Sequence, residues 1–307
     1  MFTVLMQTIQ RDSVISFPML GELSFDPPSY FTLFGRNIYF YGVFIALGFL
    51  LGMLYCARKS RSFGIEPDDL YDVLIWLIPL SIVGARLYFV LCRLDEYLAD
   101  PIKMIAVWEG GLAIYGGVIA GVLVTVIICR RKGIPVGAFL DLIAFGLLIG
   151  QMLGRWGNFM NREAFGAETD IFCRMGLTSP AGETIYVHPT FLYECLWNLG
   201  IFIFLSVFVR RGKRRYDGQC ITLYFFLYGI GRAWIEGLRT DSLYLGQTGI
   251  RVSQALSVAL VIVTLAVLIY NRKKPHRPED LYVNRVAAQK AAEQSGDGAA
   301  AEEETTT

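Results

Sequence analysis

The sequence predicts an all-α membrane protein with seven transmembrane helices. Of its 307 residues, 54% are hydrophobic and only 18% are charged, against about 25% charged in a typical soluble domain. Apolar stretches long enough for a helix to cross about 30 Å of hydrocarbon recur along the chain. The formal net charge of +1 gives no indication of nucleic-acid binding. These observations exclude a soluble enzyme, a secreted disulfide scaffold and a disordered protein.

Seven segments of 18 to 23 residues are apolar enough to span a membrane. Each is predicted to be a helix, because lipid cannot satisfy an exposed backbone and the alternation expected of a barrel strand is absent. In chain order the segments are 38–56, 70–92, 112–129, 137–154, 189–209, 218–236 and 253–270.

The Lys and Arg residues of the loops predict the direction of the chain. The loops on one side hold 15 basic residues in 38 positions, and those on the other side hold 9 in 106 positions. Because loops rich in Lys and Arg remain in the cytoplasm, the N-terminus is predicted outside and the C-terminus inside. The basic loops are 57–69, 130–136, 210–217 and 271–280.

On this topology the chain divides into three parts. Residues 1–37 form an extracytoplasmic segment, and residues 38–270 form the seven-helix domain with an outer loop region at 155–188. Residues 271–307 end in a stretch of small and acidic residues, which predicts a disordered cytoplasmic tail. No internal repeat is visible, and this argues against a transporter built from inverted repeats.

Polar side chains in or beside the predicted helices converge on one depth. A charge inside a bilayer is costly, so each is a candidate functional residue. All lie in the outer half of the membrane, whereas snorkelling charges would occur at both ends. They are Tyr41, Arg86, Tyr115, Arg155, His188, Glu194, Arg232 and Glu236. The exception, Asp141, begins the fourth helix, where it can compensate the helix dipole.

The sixth predicted helix carries Arg232, Glu236 and Arg239 on one face, because they are spaced i, i+4 and i+7. A structural ion pair would explain part of this pattern. However, one carboxylate cannot neutralise two guanidiniums, and Arg is the side chain that binds phosphate bidentately. Inside a membrane, an anion with a phosphate is most simply a phospholipid headgroup.

The six cysteines form no CxxC pair, and only Cys173 lies in a predicted outer loop. Neither a metal site nor a disulfide framework is therefore expected.

Residues 154–166, with the sequence GRWGNFMNREAFG, resemble the signature of the prolipoprotein diacylglyceryl transferase family, G-R-x-G-N-F-x-N-x-E-x-x-G. Every fixed position matches. Other segments resemble the family in the same order over about residues 30–270, and these are 38–42, 84–86, 108–111, 188–194 and 231–239.

The resemblance implies a bacterial inner- or cytoplasmic-membrane enzyme that acts at the outer leaflet. Such an enzyme moves the diacylglyceryl group of phosphatidylglycerol onto the lipobox cysteine of a prolipoprotein signal peptide. Glycerol 1-phosphate leaves and a thioether forms, as the first step of lipoprotein maturation. The expected partners are phosphatidylglycerol, the signal peptide and membrane lipid, with no nucleic acid, and no metal or cofactor is expected.

The resemblance also assigns roles to matching residues. Arg155 and Arg232 would bind the phosphate, and Asn158 would hydrogen-bond the lipid. Glu163 would orient an arginine or the glycerol hydroxyls, and Glu236 would hold Arg232 and Arg239. The catalytic candidates are Arg155, Arg232, Tyr115 and Glu163, and the substrate-binding candidates are Tyr41, Arg86, Asn158, Gly166, His188, Glu194, Glu236 and Arg239.

One position departs from the family pattern. The family has a histidine, a candidate base, where this chain has Tyr115, and an unperturbed tyrosine has a pKa of about 10. Either nearby arginines lower the pKa of Tyr115, or Tyr115 binds rather than deprotonates, or arginines stabilise the thiolate without a base. His188 is the only other candidate, and capping of the fifth helix explains it equally well. The base stays unassigned.

Two other classes of protein fit part of the pattern. A lipid or anion transporter would also need a polar outer vestibule, but the inner half offers little polar route beyond Asp141. A retinal protein would need a lysine in the seventh helix, and residues 252–270 contain none. A receptor gives no reason for the match at 154–166.

Overall fold

A computed structural model describes residues 13–21, 23–98, 100–240, 244, 249 and 251–304. The chain forms two compact units. The first comprises the chain up to Tyr55 together with Ile143–Arg214 and Gln219–Pro275, and the second comprises Cys56–Leu142, Arg215–Gly218 and His276–Thr307.

Most of the described chain is helical. The α-helices are α1 (Phe40–Lys59), α2 (Pro67–Leu91), α3 (Leu94–Leu98), α4 (Ile114–Arg131), α5 (Val136–Met160), α6 (Thr190–Arg210), α7 (Gln219–Leu238), α8 (Val252–Lys273) and α9 (Tyr282–Glu304). Short 3-10 helices lie at Pro18–Leu20, Ser60–Phe63, Pro101–Ile105, Val107–Glu109 and Pro278–Asp280.

Each of the seven predicted segments coincides with a long helix. Among the described residues, six of these helices are long and apolar enough to cross a membrane, namely all but α7. The charged side chains of Arg232 and Glu236 lie within α7 and lower its hydropathy. The largest difference in bounds is at α5, which continues to Met160. Arg155 and Asn158 therefore lie on the helix rather than in the loop after it.

Glycines let helices approach closely within each unit. In the first unit, a Cβ on Gly52 of α1 would lie 2.9 Å from the carbonyl oxygen of Gly146 on α5. In the second unit, a Cβ on Gly84 of α2 would lie 2.8 Å from the carbonyl oxygen of Gly116 on α4. Small residues at such crossings are the usual means of packing helices in lipid.

Two small sheets correct the all-α prediction. The strands are β1 (Val14–Ser16), β2 (Ser24–Phe25), β3 (Tyr30–Leu33), β4 (Arg36–Tyr39), β5 (Met175–Thr178) and β6 (Thr184–Val187). One sheet is antiparallel with the order β2-β1-β5-β6, and the other is the β3–β4 hairpin. The first sheet joins the N-terminal segment to the region predicted as an outer loop at 155–188. Strands this short, paired with distant segments, leave no alternation of apolar and polar residues that the sequence could reveal.

The larger sheet has a core of its own, formed by Ile15, Phe17, Phe165, Met175, Leu177, Val187 and Phe191. Arg162, in the loop after α5, also contacts the N-terminal segment. Its Nε donates to the Ser13 carbonyl at 2.6 Å, and its Nη2 lies 2.5 Å from Asp26 Oδ1. The buried guanidinium is therefore paired, as a buried charge must be to avoid a large desolvation cost.

The C-terminal region differs from the predicted disordered tail, because it contains the helix α9. The Tyr282 amide donates to Asp217 Oδ2 at 3.0 Å, and Lys290 Nζ lies 2.6 Å from Glu66 Oε1. The stretch after Arg285 is rich in Ala and Glu, which are good helix formers. Helix propensity and these contacts together outweigh the polar composition.

Candidate active site

A buried carboxylate, that of Glu194 near the start of α6, binds three arginines. Its Oε2 lies 2.7 Å from Arg155 Nη2, which projects from α5. Its Oε1 lies 2.7 Å from Arg232 Nη1 on α7 and 3.5 Å from Arg239 Nη1, just beyond the end of α7. Glu194 thus gathers arginines that are 84 positions apart in sequence.

Glu236 adds a second buried carboxylate. It lies 2.6 Å from Arg232 Nη2, one helical turn away on α7. The predicted pairing of Glu236 with Arg232 is present, and the carboxylate of Glu194 lies beside Arg239. The spacing of Arg232, Glu236 and Arg239 identified the shared face of these residues, but the carboxylate of Glu194 comes from a second helix, α6. Three guanidiniums and two carboxylates leave these five side chains with a formal charge of +1.

The family-like segment extends this network along α5 and into the loop after it. Arg155 Nη1 donates to Asn158 Oδ1 at 3.1 Å, and Asn158 Nδ2 donates to Glu163 Oε1 at 2.8 Å. Asn161 Nδ2 also donates to Glu163 Oε1, at 3.4 Å. Glu163 is therefore linked to Arg155 through the side-chain amide of Asn158, whose oxygen accepts the hydrogen bond from Arg155.

Gly166 makes backbone contacts with two other segments of the chain, one of which carries Arg239. Its amide donates to the His188 carbonyl at 2.9 Å, and it forms an isolated β-bridge with Arg239. A Cβ on Gly166 would lie 2.6 Å from the His188 Cβ and 2.8 Å from the Leu238 carbonyl oxygen. The position excludes a side chain because three chain segments meet there.

His188 lies at the start of α6, with Nδ1 3.4 Å from the Tyr193 hydroxyl. The Tyr193 hydroxyl is also 3.5 Å from Cys173 Sγ. Partial burial lowers the pKa of His188, so the neutral imidazole predominates near neutral pH. A neutral imidazole can accept a proton, and it can equally act as a structural hydrogen-bond partner.

Tyr41 packs directly on the helix that carries Arg155. A Cβ on Gly157 would lie 2.8 Å from Tyr41 Cδ2. Glycine at position 157 of the signature therefore makes room for this ring.

Arg86 belongs to the second unit and is 6% exposed. Its Nε donates to the Met104 carbonyl at 3.0 Å, and its Nη2 donates to the Lys103 carbonyl at 2.5 Å. Its Nη1 donates to the carbonyls of Gly110 and Gly111. The guanidinium that the sequence assigned to substrate thus holds the connection between α2 and α4.

Tyr115, also in the second unit, lies in the first turn of α4 and is 55% exposed. Its ring centroid is 6.4 Å from that of Tyr88 on α2. Asp141, in the same unit, accepts a hydrogen bond from the Gly218 amide at 2.9 Å, which agrees with a structural role for this carboxylate.

Arg251 was missed by the sequence analysis. It precedes α8, and its Nη1 donates to the backbone carbonyl of Glu236, one of the two carboxylates of the network. Arg251 lies two residues before the seventh predicted segment, at the same depth as the other polar residues, so its position in the sequence could have identified it.

Comparisons with known proteins identify the family of this chain. A family model described as prolipoprotein diacylglyceryl transferase matches residues 28–270. A Finegoldia magna protein named phosphatidylglycerol--prolipoprotein diacylglyceryl transferase is 40% identical over 244 residues, covering 80% of this chain and 95% of that protein. A protein of the same name from Lactiplantibacillus plantarum is 37% identical over 261 residues, covering 83% and 92%. The chain belongs to the prolipoprotein diacylglyceryl transferase family.

Proposed function

We propose that this protein transfers the diacylglyceryl group of phosphatidylglycerol to the lipobox cysteine of a prolipoprotein. The cysteine sulfur forms a bond to the glyceryl carbon, the bond from that carbon to the phosphate oxygen breaks, and glycerol 1-phosphate leaves with the electron pair. The observation that carries the proposal is the network of partly buried Arg155, Arg232 and Arg239 around the buried Glu194, in a chain of this family.

The network suits a reaction in which negative charge moves onto a departing phosphate. Donors that are fixed before the reaction stabilise such charge without reorganising in the transition state. Glu194 and Glu236 fix Arg232 from two sides, and Asn158 and Glu194 fix Arg155. We assign the two arginines to the phosphate and the two carboxylates to the positioning of these arginines.

Seven helices cross the membrane in this proposal, including α7. The charges of Arg232 and Glu236 lower the hydropathy of α7, but they are ion-paired, and paired charges are tolerated in the interior of a helix bundle. The loop charges put the N-terminus outside and the C-terminus in the cytoplasm. The arginine network then lies toward the outer leaflet of the bacterial cytoplasmic membrane, at the depth of a lipobox cysteine.

The transfer needs a thiolate, because a thiol is a poor nucleophile. Tyr115, His188 or the field of the arginines could serve this purpose. The position of Tyr115 in the first turn of α4 suits contact with lipid, and we propose that it binds rather than deprotonates.

The test uses the purified full chain in phosphatidylglycerol vesicles with a lipobox peptide. We expect the peptide to gain the mass of diacylglyceryl, with equimolar release of glycerol phosphate. A peptide with serine in place of the cysteine is the control and should give no product, because an alcohol ionises far less readily than a thiol. Movement of lipid across the vesicle without glycerol phosphate release would instead support a transporter.

A further inference from the structure

The β3–β4 hairpin stands apart from the other sheet. Among the residues that the structure describes, its two strands pair only with each other, and seven of their eight residues are exposed. A two-stranded hairpin with so little support is marginally stable in water. Something outside the described chain is therefore expected to cover it.

The tip of the hairpin is an aromatic residue in an unfavourable conformation. Phe34 has φ of +50° and is 96% exposed, and Gly35 follows with φ of +74°. Two residues with positive φ are typical of a type I′ turn, which favours Asn-Gly or Gly-Gly. A bulky side chain in this region is a genuine outlier. Neither backbone preference nor packing within the described chain accounts for phenylalanine at this position.

The strand register makes the hairpin two-faced. Phe31 pairs with Ile38, and Leu33 pairs with Arg36, so these four side chains share one face. Tyr30, Tyr39, Thr32 and Asn37 share the other face. Three apolar side chains of the first face and Phe34 at the tip form a continuous apolar edge, while the opposite face carries hydroxyl and amide groups.

This apolar edge is continuous with the surface of a membrane helix. Strand β4 ends at Tyr39 and α1 begins at Phe40, with no residue between them. The ring of Phe31 lies 5.4 Å from that of Phe40. Beyond Phe40, α1 exposes Ile45 and Phe49, as expected of a helix that faces lipid. The hairpin therefore begins where the hydrocarbon-spanning helix ends, and its tyrosines and Arg36 are typical of the membrane interface.

We propose that the β3–β4 hairpin is a monotopic anchor, which lies on the phospholipid bilayer and inserts Phe34 at the boundary between headgroups and acyl chains. Burial of the ring in lipid offsets the strained turn. Tyr41 follows the hairpin by two residues and packs on Gly157. The anchor thereby fixes the depth of the Arg155 end of α5 relative to the headgroups. The anchoring itself does not depend on the transfer chemistry.

The test places a single trifluoromethyl-phenylalanine at position 34 of the full chain in phosphatidylglycerol-containing vesicles. The relaxation of its fluorine signal is measured once with dissolved oxygen, which concentrates in lipid, and once with a water-soluble nickel chelate. The same label at Phe49 on α1 gives the lipid reference, and at Glu293 on α9 the aqueous one. We expect position 34 to show a ratio of oxygen to nickel relaxation closer to that of Phe49.

A ratio closer to that of Glu293 would overturn the proposal. Protection of the label from the nickel chelate that arises only when a lipobox peptide is added would also overturn it, because the signal peptide rather than lipid would then cover the hairpin.

Two variants separate insertion from folding of the turn. Phe34→Asn suits a left-handed turn but removes the ring, whereas Phe34→Trp keeps an aromatic side chain. Both variants carry the fluorine label at Leu33. We expect Phe34→Asn to lower the ratio of oxygen to nickel relaxation of this label at least twofold, and Phe34→Trp to leave the ratio unchanged. Equal lipid contact in both variants would contradict a role for the ring at position 34.

Discussion

At the scale of single residues, the unusual feature is a carboxylate shared by several arginines. Glu194 binds guanidiniums from α5, from α7 and from the residue just after α7. A charge this deeply buried is tolerated only when it is paired. The removal of any member therefore affects the others, and substitutions in the network should not be additive.

Replacement of Arg155 by alanine should lower transfer by about 10²- to 10³-fold, because removal of one preorganised donor to a developing charge has an effect of this size. The residue lies within two turns of the end of α5, so the protein should still fold and insert. Turnover by the vesicle assay measures the effect. Arg93→Ala, at an exposed arginine, is the matched control and should retain activity; wild-type turnover in Arg155→Ala would remove its phosphate-binding role.

Glu194→Ala should destabilise the protein by about 3–5 kcal/mol, because it leaves three largely buried guanidiniums without their shared partner. The free energy of unfolding in detergent or bicelles measures this loss. Glu96→Ala removes the carboxylate of an exposed pair with Arg93 and should change stability little. If both variants lost the same stability, the network would not contribute in the way its burial indicates.

Tyr115→Phe should weaken the apparent affinity for phosphatidylglycerol by about 5- to 150-fold, as expected for the loss of a binding hydrogen bond. The pH profile of kcat/KM should stay unchanged. A tyrosine base would instead give a loss of about 10²- to 10⁴-fold, and an ionisation of the wild-type protein would vanish. In that case, Tyr115→His should also retain activity, because imidazole titrates near neutrality.

At the scale of elements, backbone contacts at Gly166 hold the loop after α5 to the chain segments beside α6 and α7. Gly166 pairs with His188 and Arg239, so the loop joins the start of α6 to the end of α7. The position of Arg239 in the arginine network therefore depends on Gly166, which contributes no side chain to the network.

Gly166→Ala should lower both stability and transfer. The added Cβ would lie 2.6 Å from the His188 Cβ, and such overpacking costs about 1–3 kcal/mol. Thermal unfolding and the vesicle assay measure the two effects. Gly200→Ala in α6, where a Cβ meets nothing within 4 Å, is the control and should be neutral or stabilising. An equally stable Gly166→Ala variant would show that the three segments can separate without cost.

At the scale of the whole molecule, two ion pairs join α9 to the rest of the second unit. Lys290 donates to Glu66, and Arg285 Nη2 lies 3.8 Å from Asp217 Oδ2. The helix carries few apolar side chains, so its attachment should respond to pH and salt.

The attachment of α9 should weaken at low pH. The hydrogen bond and charge of Lys290 lower the pKa of Glu66 from its ordinary value of 4.5. Because the folded-state pKa is depressed, the contribution of the pair is fully present above pH 4.5 and is lost as pH falls through the lower value. The protection factors of residues 282–294 in hydrogen exchange, which are corrected for the slower intrinsic exchange of amides in acid, should therefore fall at low pH and in high salt. Lys290→Ala should exchange faster at neutral pH and lose most of this pH dependence; an unchanged pH response would contradict the role of the pair.

The sequence by itself determined where the seven long helices lie and which polar residues to examine. Hydropathy and the cost of a charge in lipid are properties of a local stretch, so α1 and α8 could be located within three residues at either end. The contiguous signature at 154–166 could likewise be identified without any knowledge of contacts.

Only the tertiary structure decided which groups meet. Glu194, on a different helix, lies beside Arg239, and the guanidinium of Arg86 donates to backbone carbonyls of its own unit. The pairing of β1 with β5 joins segments about 160 positions apart. These contacts depend on where distant parts of the chain are brought together by packing. No local pattern records that, because a side chain selects its partner among whatever groups the fold brings within about 3 Å.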